Sequence, residues 1–261
     1  MAPNIAEAVF ALGAGDRVVG VSEYTAYPPE AAAKPQVGAL YNPNLERIVS
    51  LRPDLILIQQ KHETVEELCA DRHISFLVVN MESGLKSVLA AMDTLGMAFG
   101  RDASERAKAL RAEIEKDLAA VRVRVDGATR PRVLICVDRS PDSLKSVYCP
   151  GGSSFLSELI EIAGGENVLA DEPNAYVQIS TEAIVRRAPD VIIETLPGRT
   201  LSEAERKKIV DEWGALYTVP AVKQGRVYVL TDDYVVVPGP RIARTAELFA
   251  ETIHPELNDA R

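Results

Sequence analysis

The sequence predicts an α/β fold: two similar αβ lobes joined by one long backbone helix, with a ligand cleft between the lobes. Three observations carry it. The first is a stretch present twice. Leu45-Glu46-Arg47-Ile48-Val49 leads to Pro53-Asp54-Leu55-Ile56-Leu57-Ile58, and Thr181-Glu182-Ala183-Ile184-Val185 leads to Pro189-Asp190-Val191-Ile192-Ile193, with Glu, Pro and Asp recurring at one constant offset. Each copy reads as a short helix with an apolar face, stopped by a proline that has no N–H to continue it, then a buried strand of branched residues. The second is that the repeat extends upstream: Glu7 with Leu12-Gly13 answers Glu158 with Ala163-Gly164, and each is followed by a valine-containing segment, Val18-Val19 or Val168-Leu169. The third is a long amphipathic stretch between the copies.

The elements follow in order. The chain opens at Met1-Ala2-Pro3-Asn4 directly into a helix ended by Gly13. The second half has a strand, Arg132–Val137, ahead of the matching helix, and the first half has none, so a leader and a first strand are expected ahead of this sequence. Between the halves, Asp102 and Glu105 read as a capping box. Ala107, Leu110, Ile114, Leu118, Val121 and Val125 then recur at spacings of three and four, the stripe of one helix about 36 Å long at ~1.5 Å per residue. Gly127 and Pro131 end it. The expected division is an N-terminal lobe over 1–101, a linking helix over 102–127 and a C-terminal lobe over 128–261. Gly151-Gly152-Ser153-Ser154 precedes a helix but lacks the lysine of a phosphate-cradling loop, so Ser153 or Ser154 is read as its N-cap.

Composition narrows the function. With 261 residues, 47% hydrophobic and 26% charged, the chain can bury one large core or two modest ones. A net charge of −9 without a basic stripe argues against nucleic acid or an anionic membrane as partner. No run of ~18 apolar residues is long enough to span a bilayer. Cys69, Cys136 and Cys149 are too few and scattered for a disulfide framework or a CxxC metal site and are read as structural, although Cys136 and Cys149 could pair across neighbouring strands. His62, His73 and His254 show no ligand spacing, and His254 lies near an end expected to fray, so no directly bound metal ion is expected.

A helical spine joining two αβ lobes resembles the substrate-binding proteins of ABC importers for cobalamin, iron-siderophores and haem. The resemblance covers essentially the whole chain. Its carriers are Val19 to Pro29, Asn44 to Leu55, Gly164-Gly165-Glu166-Asn167-Val168, Ser180 to Asp190, and Pro238-Gly239-Pro240-Arg241. The Tyr-x-x-Tyr-Pro-Pro run and the Asn-Leu-Glu-Arg-Ile-Val run look most like the vitamin B12 binders of the group.

The resemblance implies a non-enzymatic extracytoplasmic receptor, periplasmic or lipid-anchored, whose signal segment is absent from this sequence. Its partners would be an ABC permease dimer and its ATPase subunits, and it would work as a monomer with lobes that move little. It would carry no cofactor of its own; its cargo would be a cobalt- or iron-containing complex, a corrinoid first. Tyr24 and Tyr176 fall where rings contact the ligand, with Tyr27, Tyr41 and Tyr234 as further aromatics in cleft-facing loops. The B12 binder's two tryptophans fall here at Leu40 and Tyr176. Arg241 either binds a ligand carboxylate or serves the structure. Glu46 and Glu182 match the acidic residues that dock into permease arginines. Haem or a ferric siderophore is the alternative cargo, since Tyr can ligate ferric iron. A tetrapyrrole chelatase-like enzyme is the rival of a different class, although no catalytic pairing or nucleophile supports it. A free-standing interaction module is the third option.

Overall fold

In the computed structural model, which describes residues 2–257, helices and strands alternate along the chain as the repeat requires. The chain divides into two units. The first comprises the residues up to Met81, Leu85–Glu113 and Pro238–Pro240; the second comprises Glu82–Gly84, Ile114–Val237 and the residues from Arg241 on. Met1 and residues 258–261, the outer ends of the two expected lobes, lie outside the described residues.

Unit 1 begins with α1 (Pro3–Ala11), started by a proline whose missing N–H is one the first turn would leave unbonded anyway. It stops at Gly13, whose φ of +73° is the left-handed geometry that ends helices, and where a Cβ would strike the Arg106 guanidinium. The short α2 (Pro29–Ala32) and α3 (Leu45–Ser50) precede β1 (Leu55–Ile58); α4 (Glu63–Arg72) returns the chain to β2 (Ser75–Val78), which lies parallel to β1 with Leu55 opposite Ser75. Ile48, Ile56, Ile58, Val65 and Cys69 form a core on one face of this pair. Pro238–Pro240 packs with this unit, where Asn4 Nδ2 donates to the Pro238 carbonyl over 3.4 Å.

After α5 (Leu85–Phe99), α6 (Arg101–Arg124) continues from unit 1 into unit 2 as one uninterrupted helix. The stripe is buried as its spacing predicts, at Ala107, Ile114, Leu118, Val121 and Val125, with Leu110 half-buried. The capping box is a correction. The helix begins at Arg101, which puts Asp102 inside the first turn, where its charge complements the macrodipole, and the Glu105 carboxylate pairs with Lys108.

Unit 2 opens with β3 (Arg132–Cys136), as expected, and continues through β4 (Asp138–Arg139) and β5 (Val147–Pro150) to α7 (Phe155–Ile162). Ser154 is the N-cap, accepting from the Leu156 N–H; Ser153 donates instead to the Pro173 carbonyl. Gly151 and Gly152 are there for close approach, since a Cβ on either would lie 2.2 Å from a backbone oxygen of Asn174 or Ala170. The unit goes on through β6 (Glu166–Asn167), β7 (Tyr176–Ile179), α8 (Thr181–Arg187), β8 (Val191–Thr195), α9 (Glu203–Trp213), α10 (Pro220–Lys223), β9 (Val227–Leu230) and α11 (Ile242–Ile253). One sheet is parallel in the order β6-β3-β8-β9 and a second is antiparallel in the order β4-β5-β7. α11 packs on α7.

Two buried features correct the sequence reading. His254 does not fray: it is buried, with Nδ1 3.1 Å from Glu256 Oε1 and Nε2 3.3 Å from the Gly164 carbonyl, which ties the end of α11 to the turn after α7. The three cysteines are buried free thiols, so Cys136 and Cys149 are not bridged. Burial pushes both of these thiols far above the ordinary range, which keeps them protonated. Beside them, Arg139 is 5% exposed and bonds Glu194 at 2.9 Å and Glu212 at 2.6 Å, while Trp213 Nε1 donates to Glu194 over 2.7 Å.

Arg139→Met leaves Glu194 buried without its cation and is expected to cost about 3–5 kcal/mol, read as a shift in the urea midpoint. Ala188, held at φ 44° before Pro189, is expected to gain about 0.5 kcal/mol on change to Gly, because relief of left-handed strain outweighs the added entropy of the unfolded chain. Native protein should leave Cys136 and Cys149 unlabelled by a maleimide at pH 8, with full labelling only in denaturant.

Candidate functional site

The twin glutamates stand in equivalent places. Asn44 caps α3 by accepting the Arg47 N–H at 2.9 Å, and Ser180, at the repeat offset, caps α8 by accepting the Ala183 N–H at 3.3 Å. Each cap fixes the first turn, and in that turn Glu46 and Glu182 point to solvent. A hydrogen bond from the Ser180 side chain, with one from its own backbone N–H, holds the Glu182 carboxyl below the usual carboxylate range. Each helix then closes through a non-glycine residue in the left-handed region, Arg52 at φ 49° or Ala188 at φ 44°, before the Pro-Asp pair and the strand. The repeat is therefore a repeat of backbone geometry as well as of letters.

The aromatic candidates fall into one group per unit. In unit 1 the Glu23 N–H donates to the Gly38 carbonyl at 3.1 Å and Val21 bridges Gln36. These bonds bring the loop of Tyr24 and Tyr27 to the loop of Leu40 and Tyr41. Tyr24 is 67% exposed and Tyr41 80%; Tyr27 is also exposed and Leu40 half-buried. A hydrogen bond to Glu23, reinforced by its charge, raises the Tyr24 phenol above its ordinary pKa.

In unit 2, Tyr176 at the start of β7 stacks on Tyr148 of β5, centroids 5.9 Å apart and planes within 7°. Tyr148 was not anticipated. Its signal lay in the alternation Val147-Tyr148-Cys149, which turns the valine and cysteine inward and leaves the tyrosine 44% exposed. The antiparallel register places Tyr148 opposite Gln178 and Tyr176 opposite Pro150, so the rings meet diagonally across the ladder. Burial raises the Tyr176 phenol above 10, with a hydrogen bond to Ser154 opposing it. Tyr234 lies apart from this pair, its ring under the Arg241 guanidinium at 5.4 Å, and Arg241 also bonds Asp233 at 2.8 Å. The structure thus brings Tyr24, Tyr27, Leu40 and Tyr41 together, pairs Tyr176 with Tyr148, and ties Arg241 to its own loop.

Among the described residues no group of three His, Cys, Asp or Glu side chains is placed to hold a bare metal ion, and no helix is long and apolar enough to cross a membrane. What these segments display is a set of amphipathic rings, apolar on the face and polar at the hydroxyl.

The chain is a solute-binding protein, as its family match shows. The sequence pattern of the Periplasmic binding protein family matches residues 1–234, and the chain belongs to that family. It is an extracytoplasmic substrate-binding protein and not an enzyme, which removes the chelatase-like alternative. Among its relatives are an uncharacterized ABC transporter substrate-binding lipoprotein YvrC of Bacillus subtilis, 30% identical over 97% of this chain and 78% of the relative, and a vitamin B12-binding protein of Vibrio parahaemolyticus, 26% identical over 92% and 83%. Among solved structures, the periplasmic heme-binding protein RhuT from Roseiflexus sp. RS-1 in apo form superposes with a TM-score of 0.80 at 25% identity, covering 98% of this chain and 96% of that one.

The Tyr176 shift carries a pH signature. A phenol whose pKa is raised on folding contributes stability that is full below pH 10 and is lost as pH rises through the folded value. Tyr176→Phe should therefore flatten the fall in urea midpoint above pH 10, and difference absorbance of the native variant should show one late-titrating tyrosine fewer than the wild type, in which Tyr24 and Tyr234 are raised as well.

Proposed function

We propose that this chain is the substrate-binding component of an ABC importer and that its cargo is a corrinoid. The observation that carries the reading is the display of tyrosine rings, Tyr24, Tyr27 and Tyr41 on loops of unit 1 tied by backbone bonds and the Tyr148–Tyr176 stack on the β5–β7 ladder of unit 2. A corrin offers a broad apolar face and an amide fringe, which a ring with a terminal hydroxyl matches on both counts. The relatives named for vitamin B12 or cobalamin support the choice of cargo. Leu40 adds apolar contact beside Tyr41, and Tyr234 with Arg241 contributes a polar edge.

Glu46 and Glu182 are the docking points for cationic pockets on an ABC permease dimer, which works with its ATPase subunits. Two exposed carboxylates on capped helices, one per unit, steer encounter by charge and fix orientation. The receptor acts as a monomer, free in a periplasm or held by a lipid. Haem is the second reading, supported by the likeness to the heme-binding RhuT structure and by the same exposed phenols, which can ligate ferric iron.

The deciding measurement is calorimetric titration with cyanocobalamin, with hemin and a ferric siderophore as competitors. Trp213 is fully buried in the core of unit 2, so its fluorescence is a poor reporter of contact. One-to-one, sub-micromolar corrinoid binding is expected; tight binding of hemin alone would replace the corrinoid with haem. Tyr176→Ala and Tyr148→Ala should each weaken binding about tenfold, ~1.4 kcal/mol. Glu46→Ala with Glu182→Ala should abolish uptake in cells while leaving affinity within about threefold, ~0.7 kcal/mol; a large affinity loss would sink the docking assignment.

A further inference from the structure

The antiparallel sheet of unit 2 carries the Tyr148–Tyr176 stack, yet one of its edge strands, β4, is only two residues long. Main-chain pairing alone holds so short a strand weakly. The register puts Asp138 opposite Tyr148 and Arg139 opposite Val147, and the Val137 N–H donates to the Tyr148 carbonyl at 2.8 Å. Side chains alternate across the pair. Asp138 and Tyr148 are exposed, while the Arg139 and Val147 side chains turn into the core.

Inside the core Arg139 reaches two other elements. Its Nε donates to Glu194 of β8 at 2.9 Å, its Nη2 donates to Glu212 of α9 at 2.6 Å, and the guanidinium carbon lies 6.0 Å from the centre of the Trp213 ring. Trp213 Nε1 completes the group by donating to Glu194. Bonding two carboxylates on different elements needs the planar fork of a guanidinium; the compact ammonium of a lysine does not reproduce it. As a source of stability the cluster is poor. The Arg139 and Glu194 side chains are each only 5% exposed, and Arg139 Nη1 is buried with no hydrogen-bond partner among the described residues. Desolvation of such charges offsets most of their attraction, and an apolar cluster of the same volume is commonly at least as stabilising. What the ions add is direction: a rigid fork bonded at both ends fixes where β4 lies.

We propose that Arg139 is a positioning residue for cargo binding, clamping β4 to β8 and α9 and thereby fixing how β5 presents Tyr148. Asp138 is the link between clamp and ring. It is next to Arg139 in the chain and opposite Tyr148 in the ladder, so a shift of β4 reaches the ring through one residue. It passes on to Tyr176 because β5 also pairs with β7. The effect on cargo rests on the reading that the Tyr148–Tyr176 stack meets the solute; the effect on the stack does not.

The test uses Arg139→Lys, which keeps the charge and loses the fork, in the full chain. In nuclear magnetic resonance of isotope-labelled tyrosine rings, the Tyr148 signal, assigned by its absence from Tyr148→Phe, should lose its ring-current shift and its contact with Tyr176. Calorimetric affinity for cyanocobalamin should fall about fivefold. In a Tyr148→Ala background the same substitution should cost no further affinity, because a residue that acts through Tyr148 then has nothing to act on. Glu212→Ala removes one arm of the clamp at its more exposed end and should give the same two effects at about twofold, which keeps the test decisive if Arg139→Lys does not fold. An unchanged Tyr148 signal in the folded variants would overturn the clamp. So would an equal loss of affinity with and without Tyr148, the mark of a general structural role. If Tyr148→Ala itself leaves affinity for cyanocobalamin and hemin unchanged, the stack is not the cargo surface and the cargo half of the proposal falls, while the ring signal still decides the clamp.

Discussion

The constraint on which both units depend is the tight passage from helix to strand. A capped helix of two turns or fewer ends in a non-glycine residue at positive φ, and Pro and Asp then set the start of a core strand. Left-handed backbone in Arg52 and Ala188 is unfavourable in isolation and persists because the surrounding elements over-determine it: the helix cap fixes one side and the buried strand the other. The first-turn glutamates and the strands that follow inherit their positions from this turn. The exposed glutamate is placed by the cap that precedes it, the core by the strand that follows, and the aspartate meets the neighbouring strand end-on, as Asp190 does with Arg132.

Around that unit the two halves differ in how much they bury. Unit 2 packs two largely apolar inner strands, β3 and β8, each between parallel neighbours, and adds a second, antiparallel sheet that carries the Tyr148–Tyr176 stack. It also holds an arginine almost wholly out of water, which is tolerated because two carboxylates compensate its charge and an indole N–H shares one of them. Unit 1 has the smaller parallel pair and spends its loops on exposed tyrosines. Tyr24, Tyr27 and Tyr41 stand exposed on two adjoining loops there, which is why the proposed binding surface of that unit is placed on them.

Much of the fold was legible because the signals were local. The strands at Leu55, Arg132 and Val191 are runs of branched residues bounded by Pro-Asp or Pro-Arg, the α6 stripe repeats at helical spacing, and the caps at Asn44, Ser154 and Ser180 are short polar residues before apolar turns. The errors were also of one kind. Asp102 was read as a cap because α5 and α6 are separated by Gly100 alone, and a chain that turns at one glycine leaves no polar flank to read. His254 was read as frayed because proximity to a terminus carries no information about a partner ninety residues away, Gly164. Tyr148 went unremarked because its role depends on a cross-strand register.

By itself, then, the sequence determined the duplicated architecture, the long α6 helix and the placement of Glu46 and Glu182 in first turns, since each rests on periodicity, capping and proline stereochemistry; the family came from resemblance along the whole chain. Only the tertiary structure decided which tyrosines stand together, that Arg241 is held by Asp233 and Tyr234, that the cysteines are free, and that Arg139 is buried between two carboxylates. Those depend on register and on contacts between residues far apart in the chain, where the free energy of pairing is set by burial and geometry that no local pattern encodes.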